Sequence, residues 1–150
     1  MHHRLFHFTT DTATLSVFDV GVLKHRIADS ADWWCLHADQ LHELNCGNAA
    51  FIDLGSDGTY SGALRFAQLS EPQLRVRLAC PTGLMFLGAG EETTSEGMEP
   101  DCTRGGLLLE VPRGGVVLEV GRQPNGDLLL ALIQSSERVS NQFTEPLRLK

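Results

Sequence analysis

The sequence predicts a mostly β protein, an antiparallel β-sandwich or barrel with one or two short helices. Three observations lead there. Apolar and polar residues alternate with a period of two through Leu74–Cys80 and Thr59–Phe66, as in strands with one face in a core. Short apolar runs are separated by clusters of Gly, Pro, Asn and Asp, of which Asp57-Gly58 and Asn125-Gly126 are strong turn signals. Strands do not alternate regularly with helices, the pattern a parallel sheet with crossover helices needs. At 150 residues the chain is expected to form a single domain, 1–150, with a real core.

The elements follow in order. Leu5–Thr10 and Ala13–Phe18 read as the first two strands. Val20, Leu23 and Ile27 recur at helical spacing and predict a short helix capped by Asp19. Asp29–Leu36 is a connection carrying both tryptophans, Trp33 and Trp34. Asp39 is the expected N-cap of a helix over Gln40–Asn45, stopped by Gly47. Ala49–Leu54 suits a buried strand, and Gly55–Gly58 a hairpin turn into Thr59–Phe66.

Ser70-Glu71-Pro72 and Pro81-Thr82-Gly83 turn the chain on either side of the Leu74–Cys80 strand, and Leu84–Leu87 is a short apolar strand. Gly88–Gly105 reads as a long loop. Two linked hairpins then turn at Pro112–Gly115 and around Pro124–Asp127; they join Leu107–Val111, Val116–Val120 and Leu128–Ile133. The continuous apolar run of the last strand implies cover on both faces. Ser135–Lys150 is mostly polar and is expected to pack loosely. The expected core includes Leu64, Phe66, Val76, Leu78, Leu118, Leu130 and Leu132.

Composition narrows the function. Twelve basic and 19 acidic residues give a net charge of −7, which argues against nucleic acid or an anionic membrane surface as partner. It admits a basic protein partner. No apolar run reaches the length of a signal peptide or a membrane span, so a cytoplasmic location is expected. Four irregularly spaced cysteines suit reduced thiols better than a disulfide scaffold.

Four constellations bear on chemistry. Cys35, His37, His42 and Cys46 supply two thiols and two imidazoles, a set competent for zinc, although Cys35 and His37 are closer in sequence than a zinc knuckle requires. Asp53-Leu54-Gly55-Ser56-Asp57-Gly58-Thr59 resembles the two-aspartate signature of haloacid-dehalogenase phosphatases only superficially, because its aspartates are four apart rather than two. Gly88-Ala89-Gly90 is followed by Glu91 and Glu92, which would repel a phosphate. Trp33-Trp34 suits a sugar platform or a protein hot spot if exposed, and a core contact otherwise. No Gly-x-Ser-x-Gly elbow occurs, and the only lysines are Lys24 and Lys150. No catalytic residue and no cofactor is assigned.

Thr10-Asp11-Thr12-Ala13, Asp32-Trp33-Trp34, Glu43-Leu44-Asn45-x-Gly47-Asn48, Leu54-Gly55-Ser56-Asp57-Gly58-x-Tyr60 and the late Val111–Gly114 turn together carry a resemblance. They resemble a small uncharacterised family of bacterial, cytosolic, β-rich proteins associated with toxin–immunity and secretion genes. That resemblance implies a binding or immunity role and no substrate, cofactor or site.

The sequence therefore points to a non-enzymatic cytosolic binding protein, an immunity-like inhibitor of a basic toxin domain. The alternatives are a metal-dependent enzyme or metal-binding module using the Cys/His set, and a β-sandwich binding a small ligand or sugar near the tryptophans. The expected interaction surface is the loop Gly88–Gly105, whose acids are Glu91, Glu92, Glu96, Glu99 and Asp101. Met98, Trp33 and Trp34 are the candidate apolar anchors.

Overall fold

The computed structural model describes residues 3–26, 28–93 and 100–150. Ten strands and one α-helix occur in them: β1 His3–Thr10, β2 Thr14–Asp19, α1 His37–Asn45, β3 Ala49–Asp53, β4 Gly58–Arg65, β5 Leu74–Cys80, β6 Leu84–Ala89, β7 Leu107–Glu110, β8 Gly114–Arg122, β9 Leu128–Ser135 and β10 Leu147–Arg148. One five-stranded sheet has the order β1-β4-β9-β8-β5 and the other β10-β3-β2-β6-β7. All neighbours are antiparallel except β4–β9 and β3–β10. The architecture is sandwich-like, with no closed barrel.

The alternating sequence builds this core directly. Leu64, Val76, Leu78, Leu118 and Leu130 from the first sheet meet Leu15, Val17, Ile52, Met85 and Leu87 from the second, all without exposed surface. The apolar residues of opposite parity on the second sheet make another cluster. Phe18, Phe51 and Phe86 point outward and pack against Trp33, Trp34 and Leu23. The segment between β2 and β3 thus lies over the outer face of the second sheet, and β2 is buried on both sides.

Several turns differ from expectation. Gly55–Gly58 is not a hairpin turn, because β3 belongs to the second sheet and β4 to the first. The connections β5–β6 and β7–β8 also cross between sheets, so the Pro112 turn is no hairpin either. The residues are right for a tight reversal, since Gly55 has φ +93°, but a reversal can join two sheets as readily as two neighbours in one. Arg122 fixes this corner by donating from Nη2 to the Leu54 carbonyl at 3.0 Å. Pro124–Asp127 does lie in the β8–β9 hairpin, closed by the Gln123 N–H on the Asp127 carbonyl at 2.8 Å.

The predicted helix after Asp19 shrinks to a 3-10 turn at Lys24–Arg26. Asp19 ends β2 and is fully buried. Its carboxylate accepts from the backbone N–H groups of Gly21, Thr82 and Gly83 and from the Thr82 hydroxyl, tying the β5–β6 connection to β2. Helix α1 starts at His37, ahead of Asp39, which lies in its first turn rather than at its cap. Gly47 ends the helix region with φ +77°, as its sequence position suggests.

Phe66 is 44% exposed, against expectation, because β4 ends at Arg65. The C-terminal stretch packs more firmly than its polarity implies. Leu147 and Leu149 are buried, and Asn141 bonds both the N–H and the carbonyl of Arg77, closing part of the β5 edge. Of the apolar run in β9, Leu128, Leu130, Ala131 and Leu132 are buried while Leu129 and Ile133 are half-buried. No described helix is long and apolar enough to cross a membrane.

Candidate functional site

The Cys/His set does not converge. Cys35 lies in the 3-10 turn Trp33–Cys35, ahead of α1, while His42 and Cys46 lie at its far end. Within the set, the hydrogen-bonding contact described is Cys46 Sγ to His42 Nε2, at 3.8 Å. Among the described residues no group of three or more His, Cys, Asp or Glu side chains is placed to hold a metal ion.

Neither tryptophan is an exposed surface residue. Trp33 and Trp34 are 2% and 4% exposed. Both rings contact Phe51, one edge-on at 5.8 Å and the other stacked at 6.1 Å. The Arg26 guanidinium covers Trp33 at 4.4 Å from the ring centroid. Two adjacent aromatic residues in an irregular segment are pulled inward here because the second sheet offers an apolar outer face.

That arginine belongs to a cluster the sequence did not signal. Glu43 has no exposed surface, yet both of its oxygens are hydrogen-bonded. Oε2 meets His25 Nε2 at 2.8 Å and Arg26 Nε at 2.7 Å, and Oε1 accepts from Asn48 at 2.8 Å. Arg26 also reaches Asp29 at 3.0 Å and Asp39 at 2.9 Å. Burial pushes the Glu43 carboxyl up, but the bonds from Asn48, His25 and Arg26 outweigh it and hold the group below the usual glutamate range. His25 and Arg26 lie 18 and 17 positions from Glu43, so no local spacing rule connects them to it.

The acidic loop is likewise tied down where it is described. Glu91 accepts from the Thr10 hydroxyl at 2.8 Å, the Thr12 hydroxyl at 2.9 Å and the Asp11 N–H, and Arg104 lies 3.3 Å away. Burial raises its carboxyl, but the Asp11 N–H and the two threonines prevail and lower it. Glu92 is 9% exposed and accepts from the Arg104 N–H at 3.0 Å. Burial raises its carboxyl against the opposing Arg104 bond, and Asp101 adds to the rise. The two glutamates hold residues 101–106 against β1. There the Thr9 N–H meets the Arg104 carbonyl at 2.9 Å, and the Gly106 N–H meets that of His7 at 2.7 Å.

Glu91 and Glu92 are therefore internal fasteners, not free charges on a loose loop. Asp101 is exposed, and so are Asp11 and Asp32. Glu96, Met98 and Glu99 lie outside the described residues.

A groove of about 660 Å³ opens beside Thr12. Its floor is Thr14, Phe51 and Asp53 on the outer face of the second sheet. One wall is Trp34, Cys35, His37 and Gln40, and the other is the C-terminal stretch with Glu145 and Arg148. The Cys35 thiol is raised by burial and by the charges of Asp32 and Glu91. Cys80 and Cys102 are also raised, chiefly by burial.

The chain belongs to a family of unknown function, DUF6386, which it matches over residues 1–149. No curated protein matches it. Its fold is similar to that of the solved structure titled crocagin biosynthetic gene J, with 13% identity, a TM-score of 0.57, and coverage of 90% of this chain and 99% of that one. It is also similar to ComJ from Bacillus subtilis, an inhibitor of the DNA-degrading activity of NucA. The identity there is 9% and the TM-score 0.50, over 90% of this chain and 96% of the other. At such identities the likeness is one of fold.

Proposed function

We propose that this chain is a non-enzymatic binding protein that inhibits a basic protein partner, in the manner of an immunity protein. The observation that carries the reading is a set of exposed acids. Asp11, paired with Arg104 at 3.1 Å, and Asp101 are exposed beside a segment fastened by Glu91 and Glu92, and Asp32 is exposed at the start of the Trp33–Cys35 turn. The fold likeness to a nuclease inhibitor supports it. A nuclease must bind a polyanion, so its substrate surface is basic, and a set of exposed acids can compete for that surface.

The test is inhibition. Purified protein is titrated into DNA-cleavage reactions with nucleases encoded in the same genome. Stoichiometric inhibition is expected for one of them, with association slowing as salt rises. Unchanged cleavage by all of them at excess protein would remove the reading.

A further inference from the structure

We infer that the groove receives an arginine-bearing basic segment of the protein partner, whose guanidinium takes the place now held by Arg148 at Asp53. The inference rests on the inhibitor reading and names the side chain that the groove accepts.

Asp53 is built to present one oxygen. Its Oδ1 accepts from the Gly55 N–H at 2.8 Å, and its backbone carbonyl accepts from the Leu149 N–H at 2.9 Å. Oδ2 faces Arg148 Nη2 at 3.3 Å. A strong charge-assisted bond between such groups is shorter, about 2.7–2.9 Å. Arg148 is 74% exposed and Asp53 44%, so the internal pair is held weakly by solvent-screened attraction. It marks a place where a guanidinium fits, with an occupant that can leave.

The groove holds a second carboxylate. Glu145 lines the same wall, and no salt bridge is described for it. The cations of the groove, Arg148 and Lys150, both sit on the C-terminal stretch, and exposed side chains there can swing outward. Thr14 and Phe51 on the floor and Trp34 on the wall offer an uncharged surface for the aliphatic stem of an arginine. A basic segment would thus meet the Asp53 and Glu145 carboxylates in a trench with a partly apolar lining.

The experiment uses the full chain and acetyl-hexa-arginine amide as the probe, followed by amide chemical shifts at low salt. Shifts confined to Thr14, Cys35, Asp53 and their groove neighbours are expected. Asp53→Asn keeps the acceptor for the Gly55 N–H, so the turn should persist, and should weaken binding about tenfold. Arg148→Ala removes the internal competitor and should tighten binding severalfold. Thermal melts of both variants verify that the fold is intact. Shifts spread over the acidic surface, or affinity unchanged in both variants, would overturn the inference. Groove binding without inhibition of any nuclease would sink the inhibitor reading alone; inhibition retained without groove binding would sink the groove alone.

Discussion

Arg26 Nε lies 2.7 Å from Oε2 of Glu43, a carboxylate with no exposed surface, and this pair fastens the irregular segment before α1 to the helix itself. Removing the Glu43 charge leaves the largely buried Arg26 with only the part-exposed Asp29 and Asp39 as partners. Glu43→Gln is expected to cost about 3 kcal/mol in urea denaturation, in line with broken buried pairs. Asp39→Asn touches the same arginine from a half-exposed position and should cost under about 1 kcal/mol. Equal costs would mean the buried oxygen is no more important than the exposed one. Because the folded carboxyl of Glu43 is lowered, its contribution is present above the unfolded value of about 4.3 and is lost as pH falls through the folded one.

Glu92 has the opposite sign. Its carboxyl is raised, chiefly by burial, so its stabilising contribution is present below the unfolded value and is lost as pH rises through the folded one. Residues 101–106, which Glu92 helps to hold through the Arg104 N–H, should therefore open more readily at neutral pH than in mild acid. Hydrogen exchange of the Gly106 amide, corrected for its intrinsic rate, measures this. Glu92→Gln should flatten the pH dependence; a profile unchanged by that substitution would assign it to another group.

The core makes a paired prediction. Leu78 has no exposed surface and sits where the two sheets meet, so Leu78→Ala should cost about 2–5 kcal/mol. Phe66, expected in the same core, is 44% exposed, and Phe66→Ala should change stability by no more than about 1 kcal/mol. A large loss at Phe66 would place its ring in a contact that its exposure does not suggest.

These two residues show what was legible. Period-two alternation located Leu64, Val76 and Leu78 on the buried face, because that signal is carried by the strand itself. It failed at Phe66, where the strand had already ended. Turn chemistry located the reversals at Gly55 and Pro112 but not their topology, since the same φ angles serve a hairpin and a crossing between sheets. The acids Glu91 and Glu92 were visible as residues, but their roles depend on Thr10, Thr12 and Arg104, distant in sequence or brought close only by β1. The groove was illegible for the same reason: Asp53, Cys35 and Arg148 come from three separate segments.

The division between fasteners and exposed acids yields the last prediction. A triple change of Asp11, Asp32 and Asp101 to Asn removes charges from the surface. Exposed charges contribute little to stability, so the melting temperature should move by only a few degrees. Association with the inhibited partner should slow by about tenfold or more at low salt, and the difference should shrink as screening increases. Glu91→Gln has the opposite profile. It weakens acceptors for Thr10, Thr12 and the Asp11 N–H together, so stability should fall and residues 10–14 should exchange faster. Association should then suffer only as far as the turn loses its shape. If the triple variant binds as fast as the parent while Glu91→Gln alone slows association, the partner reads the shape of this turn rather than its charge.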